Sequence, residues 1–240
     1  MSALPLSPET LHPSLWRGAQ LARSEARTVD TGHPPLSAEL PGGGWPIGGL
    51  IELLVPHAGC GELRLLAPGL AAAVSAQRPL AFVQPPYSPD ARALARLGLP
   101  RDALLWLRTE RGADALWAAE QALKAGSCGA LLLWQPEARP EALRRLHLAA
   151  ARSAGTLFFM MRPLAAAQQP SPAVLRVAVR PEPGGVTIDI VKRRGPAAGN
   201  ALSLALLPSP ILGGRHARFS RRSSAAPAAG RMPAAAAGAA

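Results

Sequence analysis

Lysine is almost missing from this 240-residue chain, which has only Lys124 and Lys192. Aromatic residues make up 4% of it, and there are two cysteines, Cys60 and Cys128. Two cysteines 68 positions apart form neither a metal-ligand spacing nor a disulfide framework, so both are expected as small buried residues in a reducing cytoplasm. The five histidines, at 12, 33, 57, 147 and 216, are scattered and have no carboxylate or second histidine beside them, which argues against a metal set or a local catalytic triad. No stretch approaches about 20 apolar residues without proline or charge, so no membrane span is expected. The opening MSALPLSPET has no basic region leading into an apolar run, so no signal peptide is expected either. Acid is missing from the whole C-terminal end, because the last carboxylate is Asp189.

That last absence locates the charge. The chain carries +11 overall, yet residues 1–189 hold only +3 of it. Everything else sits on Lys192, Arg193, Arg194, Arg215, Arg218, Arg221, Arg222 and Arg231. Such an end suits a polyanion or an acidic partner surface, and it equally suits a solvated tail with no specific partner.

Apolar residues reach 48%, enough for one medium α/β domain with tails. Residues 1–35 are proline-bearing, with a possible short helix over Ser14–Arg27, and 36–212 form the expected domain. Residues 213–240 are of low complexity and expected to be disordered. Within the domain, apolar runs at 50–55, 80–83, 104–107, 130–134 and 156–161 read as buried strands. Between them lie helix patterns: 63–76, interrupted by Pro68; 88–97, with Ser88 as N-cap and Pro89 at the first helical position; 112–125; and 140–153. Residues 174–180 and 186–192 alternate apolar and polar around Pro-Gly-Gly, which predicts a hairpin with one exposed face. Strands alternating with helices predict a mostly parallel sheet covered on both faces, with the hairpin as its antiparallel edge.

The order of these pieces resembles the RecA core. GGGWPIGGLIELL (42–54), with Ile51-Glu52-Leu53 on the strand, is similar to that family's entry into its P-loop. LAFVQPPYSPDARALARLGLPRDALLWLR (80–108) resembles the second strand, the helix and the strand that follow. GADALWAAEQALKAGSCGALLLW (112–134) resembles the helix and Walker B strand, and VLRVAVRPEPGGVTIDIVKRRGP (174–196) the terminal hairpin. The likeness covers about residues 36–207. Within the superfamily the ELPGGGWPIGGLIELL entry, the GCGELRLL turn and IVKRRG look most like the ImuA family, RecA-like accessory proteins of bacterial mutagenic translesion synthesis. The resemblance implies a cytoplasmic factor of the SOS response to DNA damage. Its implied partners are ImuB, a Y-family polymerase relative, an error-prone C-family polymerase and RecA itself.

The chemistry of a working P-loop is not in the sequence. That motif needs G-x-x-x-x-G-K-[ST], with backbone amides cradling phosphates, a lysine neutralising them and a hydroxyl on Mg²⁺. Here the turn is Pro56-His57-Ala58-Gly59-Cys60-Gly61-Glu62, so Glu62 stands at the lysine position and Leu63 at the hydroxyl position. The Walker B strand ends in Trp134-Gln135 with no aspartate, and Gln84-Pro85-Pro86-Tyr87 stands where RecA keeps a water-activating glutamate. No catalytic residue, cofactor or metal is therefore expected, although Gly59 and Gly61 at a helix start keep the outline of an anion nest. The two connections matching RecA's DNA-binding loops, 135–139 and 165–172, look trimmed. Direct DNA or partner contact falls instead to Lys192, Arg193, Arg194 and the arginines at 215, 218, 221 and 222. Two other readings stay open: a SulA-like inhibitor of cell division, also built on a stripped RecA-type domain, and a residual ATP-dependent DNA-binding protein.

Overall fold

The computed structural model describes residues 27–153, 155–195 and 199–206. The possible helix at 14–27, apart from Arg27, and the basic tail with its arginines at 215, 218, 221 and 222 lie outside the described residues.

Short strand β1 (Thr28–Asp30) pairs antiparallel with β2 (Gly44–Pro46), and between them lies helix α1 (Pro34–Glu39). Residues 27–35 thus belong to the described structure, and α1 straddles residue 36. A second sheet of eight strands follows: β3 (Leu50–Val55), β4 (Leu80–Val83), β5 (Leu104–Leu107), β6 (Ala130–Trp134), β7 (Leu157–Pro163), β8 (Leu175–Glu182), β9 (Gly185–Lys192) and β10 (Leu202–Ala205). Their order across the sheet is β10-β9-β8-β3-β7-β6-β4-β5. From β5 through β8 every pairing is parallel, and β8-β9-β10 is antiparallel. This is the mostly parallel α/β architecture of a RecA-like core. The first long strand, β3, lies between two of the last, β7 and β8.

Helices α2 (Glu62–Ala73), α3 (Ala91–Arg96), α4 (Gly112–Ala125) and α5 (Pro140–Arg152) cover the sheet. Leucines 65, 66 and 70 of α2 join Ile51, Leu53, Phe82 and Phe159 in one core layer. Ala115, Ala119 and Leu123 of α4 and Leu143 and Leu146 of α5 join Leu50, Leu131 and Phe158 in the layer on the other face. Period-2 alternation in the strands sends neighbouring residues to opposite layers, which is why runs such as Leu80–Val83 are apolar throughout.

Three elements depart from the sequence reading. Helix α2 runs through Pro68 without a break, because Pro68 faces outward while Leu65, Leu66, Ala67, Gly69 and Leu70 are buried and hold the turn on either side. Its ring sits so close to Gly32 that a Cβ there would stand 2.2 Å from the proline's own. Helix α3 is capped by Asp90 rather than Ser88: the Arg92 N–H donates to the Asp90 carboxylate at 2.8 Å, starting the helix two residues later. The hairpin is exposed along one face only in β9, where Asp189 and Val191 are open while Val186 and Ile188 are buried. Leu175 to Val179 are all buried, because β8 lies inside the sheet and β10, unforeseen in the sequence, extends it beyond β9. At the opposite edge, β5 pairs only with β4 and leaves Leu105 and Trp106 exposed.

One charged cluster crosses the central strands. Glu52 of β3 is fully buried, and its carboxylate takes Arg162 of β7 at 3.1 Å and Arg176 of β8 at 2.6 Å. The Ser171 hydroxyl donates to the same carboxylate at 2.9 Å. Arg176 also donates to the backbone carbonyls of Ala166, Ala167 and Gln169, and Arg162 donates to the Gln169 side chain at 2.7 Å. Two guanidiniums share one carboxylate in the interior, so removing that carboxylate strands both. Glu52→Gln is expected to destabilise the fold by about 3–5 kcal/mol, read as a lower urea midpoint at unchanged slope. Replacing all three residues together with Leu or Met is expected to cost much less.

Candidate functional site

In an open parallel sheet, ligands bind at the carboxyl ends of the strands. Here that edge is formed by the turn after β3, the segments after β4 and β6, and the end of β7. The β3–α2 turn, Pro56 to Glu62, keeps the backbone shape expected of it: Gly59 and Gly61 have φ of 83° and 111°, which side-chain-bearing residues rarely adopt. Gly61 is the N-cap of α2. Pro56, His57 and Gly59 are exposed, Ala58 is half-buried, and Cys60, Gly61 and Glu62 are buried.

Glu62 decides what the turn can hold. It is 3% exposed, and its Oε1 accepts the Gly59 N–H at 2.7 Å. A backbone amide that a bound anion would use is thus taken by the chain's own carboxylate, which brings negative charge to the helix N-terminus. Its second oxygen, Oε2, is buried and has no hydrogen-bond partner. Cys60 lies beside it, and burial together with the neighbouring Glu62 charge pushes the thiol up to about 12 from an ordinary 9.0. His57 bonds with the adjacent Ala58 carbonyl, at 3.1 Å.

The other stations of the edge are likewise bonded inward. Gln84 has a left-handed φ of 53°, the only such non-glycine among the described residues. Its carboxamide accepts the Thr109 N–H at 2.9 Å and donates to the Thr109 carbonyl at 3.0 Å, clamping the end of β4 to the end of β5. Gln135 donates to the Glu137 carbonyl at 2.8 Å. Trp134 stacks on Phe82 with ring centroids 5.7 Å apart and an interplanar angle of 14°, while its indole N–H is buried without an acceptor. Between the turn, the 84–90 segment and Trp134 lies a cavity of about 200 Å³ with walls of Leu63, Phe82, Pro85, Tyr87, Leu94 and Trp134. Glu62 and Asp90 also line it, and no lysine or arginine does.

The basic cluster at the end of β9 divides. Lys192 is exposed and donates to the Ser171 carbonyl at 2.8 Å, and Arg194 is exposed. Arg193 is engaged with Glu39 of α1, at 3.1 Å from its carboxylate and bonded also to its carbonyl, so it ties β9 to the N-terminal helix. His147 of α5 accepts the Leu50 N–H at 3.3 Å, and burial followed by the charges of Lys192 and Arg194 lowers its pKa. The 165–172 connection, which the sequence presents as a trimmed loop, opens with a 3₁₀ turn, Leu164–Gln168, and lies over the Glu52 cluster. Sequence reasoning missed Arg162 and Arg176. The signal for them is one charge in each of two apolar strands, FFMMR and LRVAV.

Among the described residues no three His, Cys, Asp or Glu side chains gather as a metal site, and no helix is long and apolar enough to cross a membrane. Compared with known families and with curated proteins, the chain matches no family model and no curated relative.

The Cys60 shift has a measurable consequence. The folded state holds the thiol proton to about pH 12, whereas the unfolded chain releases it near 9. Stability from this group is therefore complete below pH 9 and is lost as pH rises through 12. Cys60→Ala is expected to flatten the fall in unfolding free energy across that window, and iodoacetamide at pH 8 to label Cys60 only after unfolding.

Proposed function

We propose that this chain is a non-catalytic accessory factor of damage-induced, error-prone translesion DNA synthesis, working through protein contacts. The observation that carries the reading is the Glu62 carboxylate seated on the Gly59 amide, in the turn where a phosphate-binding relative keeps a lysine. A carboxylate there repels a polyphosphate, and Leu63 offers no oxygen to Mg²⁺. The RecA-like scaffold remains while the groups that would use a nucleotide are replaced, which favours recognition over turnover. The resemblance to the ImuA family supplies the partners: an ImuB-like Y-family polymerase relative, an error-prone C-family polymerase and RecA. Contact with DNA would be indirect, reinforced by the exposed Lys192 and Arg194 and by the arginine-rich end.

Affinity purification of the tagged chain from DNA-damaged cells is expected to recover the Y-family relative. Recovery of neither that protein nor RecA under native conditions would overturn the assignment. Filamentous cells on overexpression would point instead to a SulA-like role. The purified chain is expected to hydrolyse ATP at background rate, with or without single-stranded DNA, measured by phosphate release. A Mg²⁺-dependent rate that disappears on changing Glu62 would refute the non-catalytic reading.

A further inference from the structure

We propose that β5 is a homodimer interface, at which two copies of this chain pair their β5 strands antiparallel about a two-fold axis at Leu105 and join their sheets. The inference stands apart from the repair assignment and needs only the geometry of one sheet edge. Among the described residues β5 pairs with β4 alone, so its other side is a bare edge. Natural edges are usually blunted by lysine, proline or a bulge. β5 is Leu-Leu-Trp-Leu and has none of these, and Leu105 and Trp106 are 40% and 47% exposed.

The ladder with β4 fixes which backbone groups are open. The Leu107 carbonyl accepts the Gln84 N–H at 2.9 Å, and the Gln84 side chain holds both backbone groups of Thr109. In a parallel ladder alternate residues turn N–H and C=O to the same neighbour, so Leu105 and Leu107 face β4. Leu104, Trp106 and Arg108 turn theirs to the open edge. Two such edges pair antiparallel only where outward residues stand opposite outward residues, which sets even-numbered positions against even-numbered ones.

Charge selects among those registers. An axis at Leu105 puts Trp106 opposite Leu104 of the second copy, twice, and each pair exchanges both backbone hydrogen bonds. It also brings Arg108 up to Asp102 of the second copy, in the 3₁₀ turn leading into β5. Both side chains are exposed, and neither has an ion-pair partner among the described residues. An axis at Trp106 would instead set Asp102 against Glu110, acid on acid. An axis at Leu104 would set Asp102 against Trp106 and leave Arg108 opposite Pro100. In the Leu105 register the two copies of Leu105 meet on one face, and Leu104 and Trp106 cover each other on the opposite face. A second copy supplies every one of these partners by symmetry. The pairing uses up the β5 edge of both copies, so assembly stops at two.

The test uses the full chain, followed by sedimentation equilibrium up to about 100 μM, because a short strand pair belongs with the small, weak interfaces. The expected mass is twice 24.9 kDa. Trp106→Lys is expected to weaken the dimer at least tenfold at an unchanged urea midpoint. Asp102→Arg or Arg108→Asp alone is expected to weaken it about tenfold, and the two together to restore it. Leu105→Cys reads the register directly: the two thiols stand on Cα atoms about 4.5 Å apart, within the roughly 4.4–6.8 Å of a disulfide. Mild oxidation is expected to give a covalent dimer, whereas Leu107→Cys, whose copies lie about 13 Å apart, is expected to give none. The native Cys60 and Cys128 are buried and stay out of the reaction. A chain that remains single, or assembles beyond two, overturns the proposal. So does a dimer indifferent to Trp106→Lys, or one that cross-links through position 107 and not 105.

Discussion

One buried carboxylate sets the arrangement of the central strands. Glu52 draws Arg162 from β7 and Arg176 from β8 toward β3, and only one relative placement of the three strands satisfies all three groups. Hydrophobic packing alone tolerates small slips along a parallel sheet, whereas an ion triad with fixed hydrogen bonds does not. Arg176 also fastens the 3₁₀ turn at 164–168 over the sheet. The strand ends that frame the candidate site, including that of β7, inherit their positions from this anchor.

At that edge, groups that would otherwise face a ligand are turned inward. Glu62 is bonded to Gly59, Gln84 to Thr109, and Gln135 to Glu137, while Trp134 lies flat on Phe82. Each of these side chains makes a contact within the chain, and those contacts tie the edge together. Gln84 adopts an uncommon backbone conformation to reach Thr109, which is strain retained for architecture. Acid and aromatic rings line the cavity at this edge, and no lysine or arginine does.

The sequence made most of this fold legible. Runs such as 80–83 and 130–134 are strands to the residue, and both lie inside the sheet with apolar side chains packed on either face. Proline misled at residue 68, because the rule against it in helices is local and the contacts that hold α2 are tertiary. Strand β10, with Ser203 in a short LSLA run, carries too little pattern to find without its partner β9. The carboxylate at position 62 was readable at once. That Glu62 would turn onto Gly59, and that Arg193 would serve Glu39 of α1, depends on distances between side chains that no spacing rule conveys. The role of Glu52 was hidden in the same way, since its partners stand 110 and 124 positions away.

Those separations bear on biosynthesis. A ribosome adds roughly 5–20 residues per second, so Glu52 is made on the order of 5–25 s before its second arginine. For most of that interval β3 has neither lateral neighbour, and an apolar strand containing a lone acid cannot settle into a stable interior. The sheet therefore closes late, once β7 and β8 have emerged, and the earlier strands must pass that time as a nascent chain shielded by the translation machinery and its chaperones.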